Sequence, residues 1–288
     1  MKYGFIAEHR DTFNVLTMCR LLEVSPSGYY RFRVRRPSAR AKENERLLTK
    51  IRAIHEESRQ VYGSPKVYRQ LRREGEACNH KRVERLMKEH QLKAKRARKF
   101  KATTNSQHTL PVAENLLNRE FQPGAPDRAW VGDITYIWTA EGWLYLAVFI
   151  DLFSRMVVGW SISERMTTEL VEAALGMGIT RRGGRAPRLV HTDRGSQYAS
   201  DRFRELVEQV FALQSMSRKG NCWDNAVAES FFSALKVEMV DHEEFETRRE
   251  ATLAVFDYIE VFYNRKRIHS ATGFLSPAEY EEQFKGAA

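Results

Sequence analysis

From Trp130 to Ser163 the chain is written in β-sheet residues. "WVGDITYIW", "WLYLAVFID" and "RMVVGWSIS" are dense in aromatic and β-branched side chains, and "TAEG" separates the first two as a hairpin turn. Three such runs in succession predict three antiparallel strands. The pattern then alternates. A helix is expected over 167–179, with Leu170, Ala173, Ala174 and Met177 inward, followed by the short buried strand "RLVHTD" and the turn "RGSQY". Ser200 caps the helix "DRFRELVEQV", and "ALQSMS" reads as a last short strand. A further helix is expected near Asn225, with Asp224 as its N-cap and Val227, Phe231, Ala234 and Leu235 as its apolar stripe. A long helix over 247–263 follows. The order of elements specifies an α/β domain, one mixed sheet with helices on its faces.

The chain upstream of residue 127 has a different character. Residues 12–33 read as helix, turn, helix, with Val15, Met18, Cys19 and Leu22 inward, Ser25 as cap and Pro26 at the first position of the second helix. That layout is either a helix-turn-helix presenting Ser27, Tyr29, Tyr30 and Arg31 to DNA or an ordinary helical hairpin. A helix over 41–57 carries Leu47, Leu48, Ile51 and Ile54. "YGSPKVYRQLRREG" and "HKRVERLMKEHQL", capped by Ser64 and Asn79, read as a second helix-turn-helix whose basic outer faces include Lys66. "KAKRARKFK" places six positive charges in nine residues, among them Lys93, Lys95, Arg96, Arg98 and Lys99. It reads as a linker laid along a phosphate backbone, the alternative being a solvated charge run.

Of the net charge of +10, residues 1–110 contribute +16 and the remainder −6, so one end is built to meet a polyanion, with nucleic acid the default partner. The longest apolar run, "WLYLAVFI", is too short to cross a bilayer, and the N-terminus has no secretory pattern. Cys19, Cys78 and Cys222 are scattered, which argues against a zinc knuckle or a disulfide framework. A bacterial cytoplasmic protein, nucleoid-associated when on DNA and with no membrane partner, is expected.

Two acids sit where acids are unwelcome. Asp133 lies inside an apolar strand, where an uncompensated charge is costly, and Asp193 closes "RLVHTD" at the strand end where α/β folds tend to build sites. Glu229 points away from the apolar stripe of its helix and shares a face with Phe232, Ser233 and Lys236. Taken alone, Glu229 is more often a solvated first-turn acid. Three converging carboxylates would repel unless a cation neutralised them. Hard divalent ions suit oxygen ligands, and a pair of them roughly 4 Å apart can activate a nucleophile and stabilise the leaving oxygen of a phosphodiester.

These residues carry a resemblance. "WVGDITYI", "IDLFSRMVVGWSIS", "HTDRGSQY", "MSRKGNCWDNAVAESFFSALKVE" and "YNRKRIHSATGFLSPAEY" stand in the order of the motifs of DDE transposases of bacterial insertion sequences, the OrfB-like catalytic subunit. The 35 residues between Asp193 and Glu229 match the hallmark spacing of that family. The resemblance covers residues 12–282 and implies a ribonuclease-H-like (integrase core) domain preceded by an all-helical helix-turn-helix region. On that basis residues 1–38 are expected to be a helix-turn-helix-like segment, 39–92 a helical DNA-binding domain, 93–119 a basic linker, 120–240 the catalytic domain and 241–288 a helical extension. Asp133, Asp193 and Glu229 become the catalytic, metal-binding triad, holding two magnesium ions for which manganese can substitute. Lys236 becomes a contact to element-end DNA. Gly132 departs from the family, where threonine is common.

Arg194, Arg218, Lys219 and Asn221, in loops after strands, are further candidate DNA contacts, as is Ser217. Asp151 is either a helper of a metal ligand or a strand-end cap, and His191 either lines the site or is a satisfied core histidine. Trp223 reads more readily as a packing anchor than as a base-stacking platform. Tyr263, Asn264, Arg267 and His269 are structural or DNA-contacting. The implied reaction is cleavage at the element's terminal inverted repeats and strand transfer into target DNA by 3′-hydroxyl attack, through a joined or circular intermediate. A homo-oligomer on paired double-stranded ends is expected, with the product of an upstream reading frame as a partner. A structure- or hybrid-specific ribonuclease-H-like nuclease and a catalytically silent DNA-binding regulator are the alternatives.

Overall fold

The computed structural model describes residues 2–34, 38–95, 110–219 and 221–287. The chain divides into two compact units, Met1–Ala53 and Ile54–Ala288. The first is helical, with α1 (Lys2–Glu8), α2 (Val15–Leu21), α3 (Pro26–Val34) and most of α4 (Ala39–Glu57). Asn14 starts α2 by accepting the backbone N–H groups of Leu16 and Thr17. Ser25 Oγ accepts the Gly28 N–H at 3.3 Å and opens α3 at Pro26, as the sequence predicts. Ile6, Met18, Cys19 and Tyr29 form the core of this unit. Tyr29 therefore cannot face DNA: its place in α3 turns it toward Met18 and Cys19, and it has no exposed surface, whereas Ser27, Tyr30 and Arg31 are exposed.

The second unit begins with α5 (Ser64–Arg73) and α6 (His80–Glu89). Gly63 rather than Ser64 occupies the cap of α5, while Asn79 caps α6 by accepting the Arg82 N–H at 2.8 Å. The sheet follows: β1 (Ala129–Thr139), β2 (Gly142–Asp151), β3 (Val157–Ser163), α7 (Thr168–Arg181), β4 (Leu189–Thr192), α8 (Ser196–Ala199), α9 (Asp201–Gln209) and β5 (Leu213–Met216). Its strand order is β3-β2-β1-β4-β5, antiparallel among the first three and parallel from β1 to β5. A 3₁₀ turn (Cys222–Asn225) leads into α10 (Ala226–Glu238), then α11 (Arg248–Phe256) and α12 (Pro277–Ala287).

Strand alternation feeds two apolar layers. Val131, Ile137, Leu144, Leu146, Val148 and Ile150 meet Phe231 and Leu235 of α10 and Ala251 and Val255 of α11. Trp130, Ala147 and Phe149 meet Leu170, Val171 and Ala174 of α7 and Phe203 of α9. Helices thus cover both faces, as expected. Contact between β3 and α7 is so close that a Cβ at Gly159 would lie 2.1 Å from the Ala174 carbonyl oxygen.

The structure departs from expectation in two stretches. Within the span read as a linker, Leu117 is buried in the first layer with Phe121 against it, and Leu116 N–H donates to Ser215 Oγ of β5 at 2.9 Å. A polar, patternless segment can still pack when its backbone finds partners on a sheet edge. The helix expected over 247–263 is two pieces: Thr247 and Glu250 form a capping box for α11, and Asp257–Tyr263 continues as a π-helix.

The C-terminal motif is structural. Asn264 clasps the backbone of Val157 on β3, its Nδ2 donating to the carbonyl at 3.0 Å and its Oδ1 accepting the N–H at 2.9 Å. Arg267 makes a bidentate pair with Glu238 at the end of α10, and the His269 ring meets Tyr263 edge-on.

Candidate active site

Register brings the two aspartates together. The parallel pairing of β1 with β4 ends at Gly132 opposite Thr192, so Asp133 and Asp193 are each the next residue on neighbouring chains whose spacing is about 4.8 Å. Asp133 Oδ1 accepts the Ile134 N–H at 2.8 Å, and Asp193 Oδ1 accepts the Gly195 N–H at 2.9 Å. The third element hangs from the same strand: Asn225 Nδ2, at the start of α10, donates to the Gly132 carbonyl at 3.3 Å. Glu229 stands one turn further along α10. At Gly132 a Cβ would lie 2.4 Å from the Phe149 ring, so the strand packs closest there without a side chain.

The electrostatics are those of crowded acids. Burial, then the charge of Asp193, holds the Asp133 carboxyl well above the usual carboxylate range, and Glu229 adds to the effect. The Ile134 N–H and the Lys236 ammonium act in the opposite direction. Glu229 keeps an exposed surface, while loss of water on the side toward the protein raises its carboxyl. Tyr198 of α8 is buried beside the pair, its phenol pushed up by burial and by the charges of Asp133 and Asp193. Two adjacent carboxylates, one of them held above its ordinary range by burial and by its neighbour's charge, are a donor set that suits a hard divalent cation. Among the described residues, however, no three His, Cys, Asp or Glu side chains are gathered so as to hold one ion. Asp133 and Asp193 form the shelf, and Glu229 on α10 is near enough for its charge to raise the Asp133 carboxyl.

The remaining candidates divide clearly. Lys236 lies with its Nζ 5.0 Å from the Tyr136 ring centroid and is felt by Asp133. Arg194 Nε donates to the Ser217 carbonyl at 2.6 Å, and Ser217 is itself buried. Lys219 and Lys93 are exposed. Lys95 is packed rather than laid out in a linker, its Nζ donating to the Glu238 carbonyl at 2.9 Å. Lys66 is half-buried with its Nζ 5.0 Å from the Tyr62 ring centroid, and burial, then Arg267, lowers its ammonium to about 8. Arg96, Arg98 and Lys99 lie outside the described residues.

Asp224 is not the cap of α10, which starts after Asn225. It is wholly buried and accepts from Asn115 Nδ2 (2.9 Å), Arg119 Nε (3.0 Å), Arg218 Nε (2.9 Å) and Arg218 Nη2 (2.8 Å), and these bonds, that of Arg218 first, hold its carboxyl far below the ordinary range. Arg218 is thereby tied to Asp224, and Asn221 Oδ1 accepts from Arg119 Nη2 at 3.0 Å. Arg119 and Asn115 fall in the stretch read as a linker, where composition carries no sign of them.

Phe232 is core rather than a companion of Glu229 on the open face. His191 is a satisfied core histidine: Nδ1 and Nε2 bond Ser215 Oγ at 2.8 Å and Ser217 Oγ at 3.2 Å, and burial lowers the ring to about 4. Asp151 is a buried strand-end cap, accepting the Phe153 N–H at 3.0 Å and Arg182 Nη2 at 3.2 Å. Trp223 is 69% exposed and anchors no packing.

Comparison with known proteins agrees with this architecture. Residues 123–222 and 229–284 match families described as Integrase core domain, and residues 42–100 match an HTH-like domain. The chain is 44% identical over 285 residues to the Transposase InsF for insertion sequence IS3A of Escherichia coli (strain K12), covering 98% of this chain and 99% of that one. It is 45% identical over 267 residues to an uncharacterized 31 kDa protein of insertion element IS600 from Shigella sonnei, covering 93% and 98% respectively. Among solved structures it is similar to a simian T-cell lymphotropic virus intasome in complex with PP2A regulatory subunit B56 gamma (TM-score 0.47, 17% identity, 76% of this chain and 70% of that one). It is also similar to the HTLV-2 integrase catalytic core domain in complex with magnesium (TM-score 0.43, 18% identity, 56% and 99%).

The sheet and the matched domains define an enzyme with a ribonuclease-H-like integrase core, a polynucleotidyl transferase of the DDE class. More particularly, the chain belongs to the family of insertion-sequence transposases that includes InsF of IS3. No helix among its described residues is long and apolar enough to cross a membrane.

Proposed function

We propose that this transposase binds the terminal inverted repeats of its element, cleaves to expose a 3′ hydroxyl and joins that hydroxyl to target DNA, with Asp133, Asp193 and Glu229 as its catalytic triad. The observation that carries the assignment is the register of β1 and β4, which sets Asp133 beside Asp193, with α10 anchored at Gly132. Divalent ions, two magnesium ions with manganese as substitute, would activate the attacking oxygen and balance charge on the leaving one. Asp133 and Asp193 supply the fixed oxygens, and Glu229 completes the set by turning inward from α10. Lys236 holds a phosphate of the bound end. Residues 1–38 and 39–92 grip duplex DNA, 93–119 join them to the core over 120–240, and 241–288 brace α10 from behind. Because ends come in pairs, the active form is a homo-oligomer, assembled with the product of an upstream reading frame.

Labelled end duplex, target plasmid and magnesium test the reading. Joined product is expected from the native chain. Asp193→Asn should lose cleavage and joining by at least about 100-fold while still binding ends, a loss in the range seen when a single electrostatic stabiliser of a transition state is removed. Hydrolysis without joining would make the protein a nuclease instead.

A further inference from the structure

The β1–β2 hairpin carries large aromatic surface outward from the acidic centre. Trp138 and Trp143 are 59% and 44% exposed, although tryptophan usually hides most of its ring. They are cross-strand partners, edge to face at 4.8 Å, and Trp143 meets Tyr136 edge-on at 5.0 Å. The Lys236 Nζ, about two helical turns beyond Glu229 on α10, stands 5.0 Å from the Tyr136 centroid. A path of side chains therefore runs from Lys236, on the helix that carries Glu229, through Tyr136 to two exposed indoles. The hairpin that holds them is braced. Thr139 Oγ1 donates to the Gly142 carbonyl at 2.7 Å, Ala140 N–H donates to the Phe245 carbonyl at 2.9 Å, and the Glu141 carboxylate accepts the Arg248 N–H at 2.8 Å.

Resting on the transposase reading, we infer that Trp138 and Trp143 form a stacking platform for unpaired bases of the DNA strand engaged at Asp133 and Asp193. Aromatic faces beside a cation are what single-stranded nucleic acid uses, since every base has a π-face and every nucleotide a phosphate. Trp138 lies five residues along β1 from Asp133, about 17 Å at the rise of an extended strand. That distance corresponds to about five nucleotides at 3.4 Å each. Duplex bases keep their faces stacked on one another, so the platform selects a frayed or extruded segment. A second copy of the chain is the poorer occupant. Two partly exposed indoles offer only about 250 Å², against about 800 Å² per partner in a stable interface.

The test compares metal-free binding of the full chain to two end duplexes, one fully paired and one with mismatches centred five nucleotides from the cleavage point. Native protein is expected to bind the mismatched duplex more tightly. Trp138→Ala with Trp143→Ala should weaken that complex about 10-fold or more while changing the paired complex less than about 3-fold. Trp138→Phe with Trp143→Phe, which keeps stacking surface, should retain most of the preference and exposes any fault due to folding alone. Equal loss on both duplexes, no loss on either, or loss of self-association with unchanged DNA binding would overturn the inference. Cleavage in magnesium is scored separately, so a failure of the transposase reading is seen on its own.

Discussion

At position 224 a carboxylate with no accessible surface holds the nearby Arg218 together with Arg119 and Asn115 from more than 100 residues away. Removing its charge leaves Arg119 and Arg218 without their partner. Both guanidinium groups are about half exposed, which discounts the full penalty of a broken buried pair. Asp224→Asn is therefore expected to destabilise by about 2–3 kcal/mol in denaturant unfolding. Lys66 gives a pH signature. Its ammonium falls to about 8 in the folded protein from 10.5, so between those values the unfolded state binds more protons and stability rises with pH. Lys66→Met should remove up to about 3 kcal/mol of that rise, read as the difference between melts at pH 8 and pH 10.5. Asp133 stood out at this scale because an acid inside an apolar strand contradicts its surroundings, whereas Glu229 taken alone read as a solvated helix acid. Asp224 was not legible as a clamp, since two of its partners, Arg119 and Asn115, are 105 and 109 residues away and the local pattern fits a helix cap equally well.

Strands and caps were the elements most readable from sequence. Ser25, Asn79 and Ser200 each accept the backbone N–H expected of a helix start. Helix faces were read less well. The periodicity of α10 put Phe232 on the open side, yet α10 lies against the wide apolar face of β1 and β2, and a broader stripe of it is buried. Residues 113–119 read as the end of a linker because backbone bonds to a sheet edge leave no mark in composition. The tightest joint between elements is β3 on α7 at Gly159. A methyl there meets backbone atoms at 2.1 and 2.6 Å, which no rotamer change relieves. Gly159→Ala is expected to force the helix off the sheet and destabilise by several kcal/mol, on the scale of an overpacked core or worse, visible as a lowered melting temperature.

At the scale of the whole molecule, charge and chemistry are separated along the chain. The N-terminal 110 residues carry +16 and the rest −6, although the carboxylates proposed for catalysis must also approach DNA. Binding to element ends should therefore weaken steeply with salt. A log–log slope of about −5, corresponding to six phosphates, is expected from filter binding between 50 and 200 mM salt, and a flat response would contradict the polyanion reading. The central claim is that Asp133, Asp193 and Glu229 gather around bound cation, and ferrous iron tests it directly. Placed in the magnesium site with ascorbate and peroxide, iron cuts the polypeptide only where backbone lies beside it. Three clusters of cuts are expected, at residues near 133, 193 and 229, all suppressed by excess magnesium. Cuts near 133 and 193 without any near 229, or cuts that magnesium leaves unchanged, would contradict it.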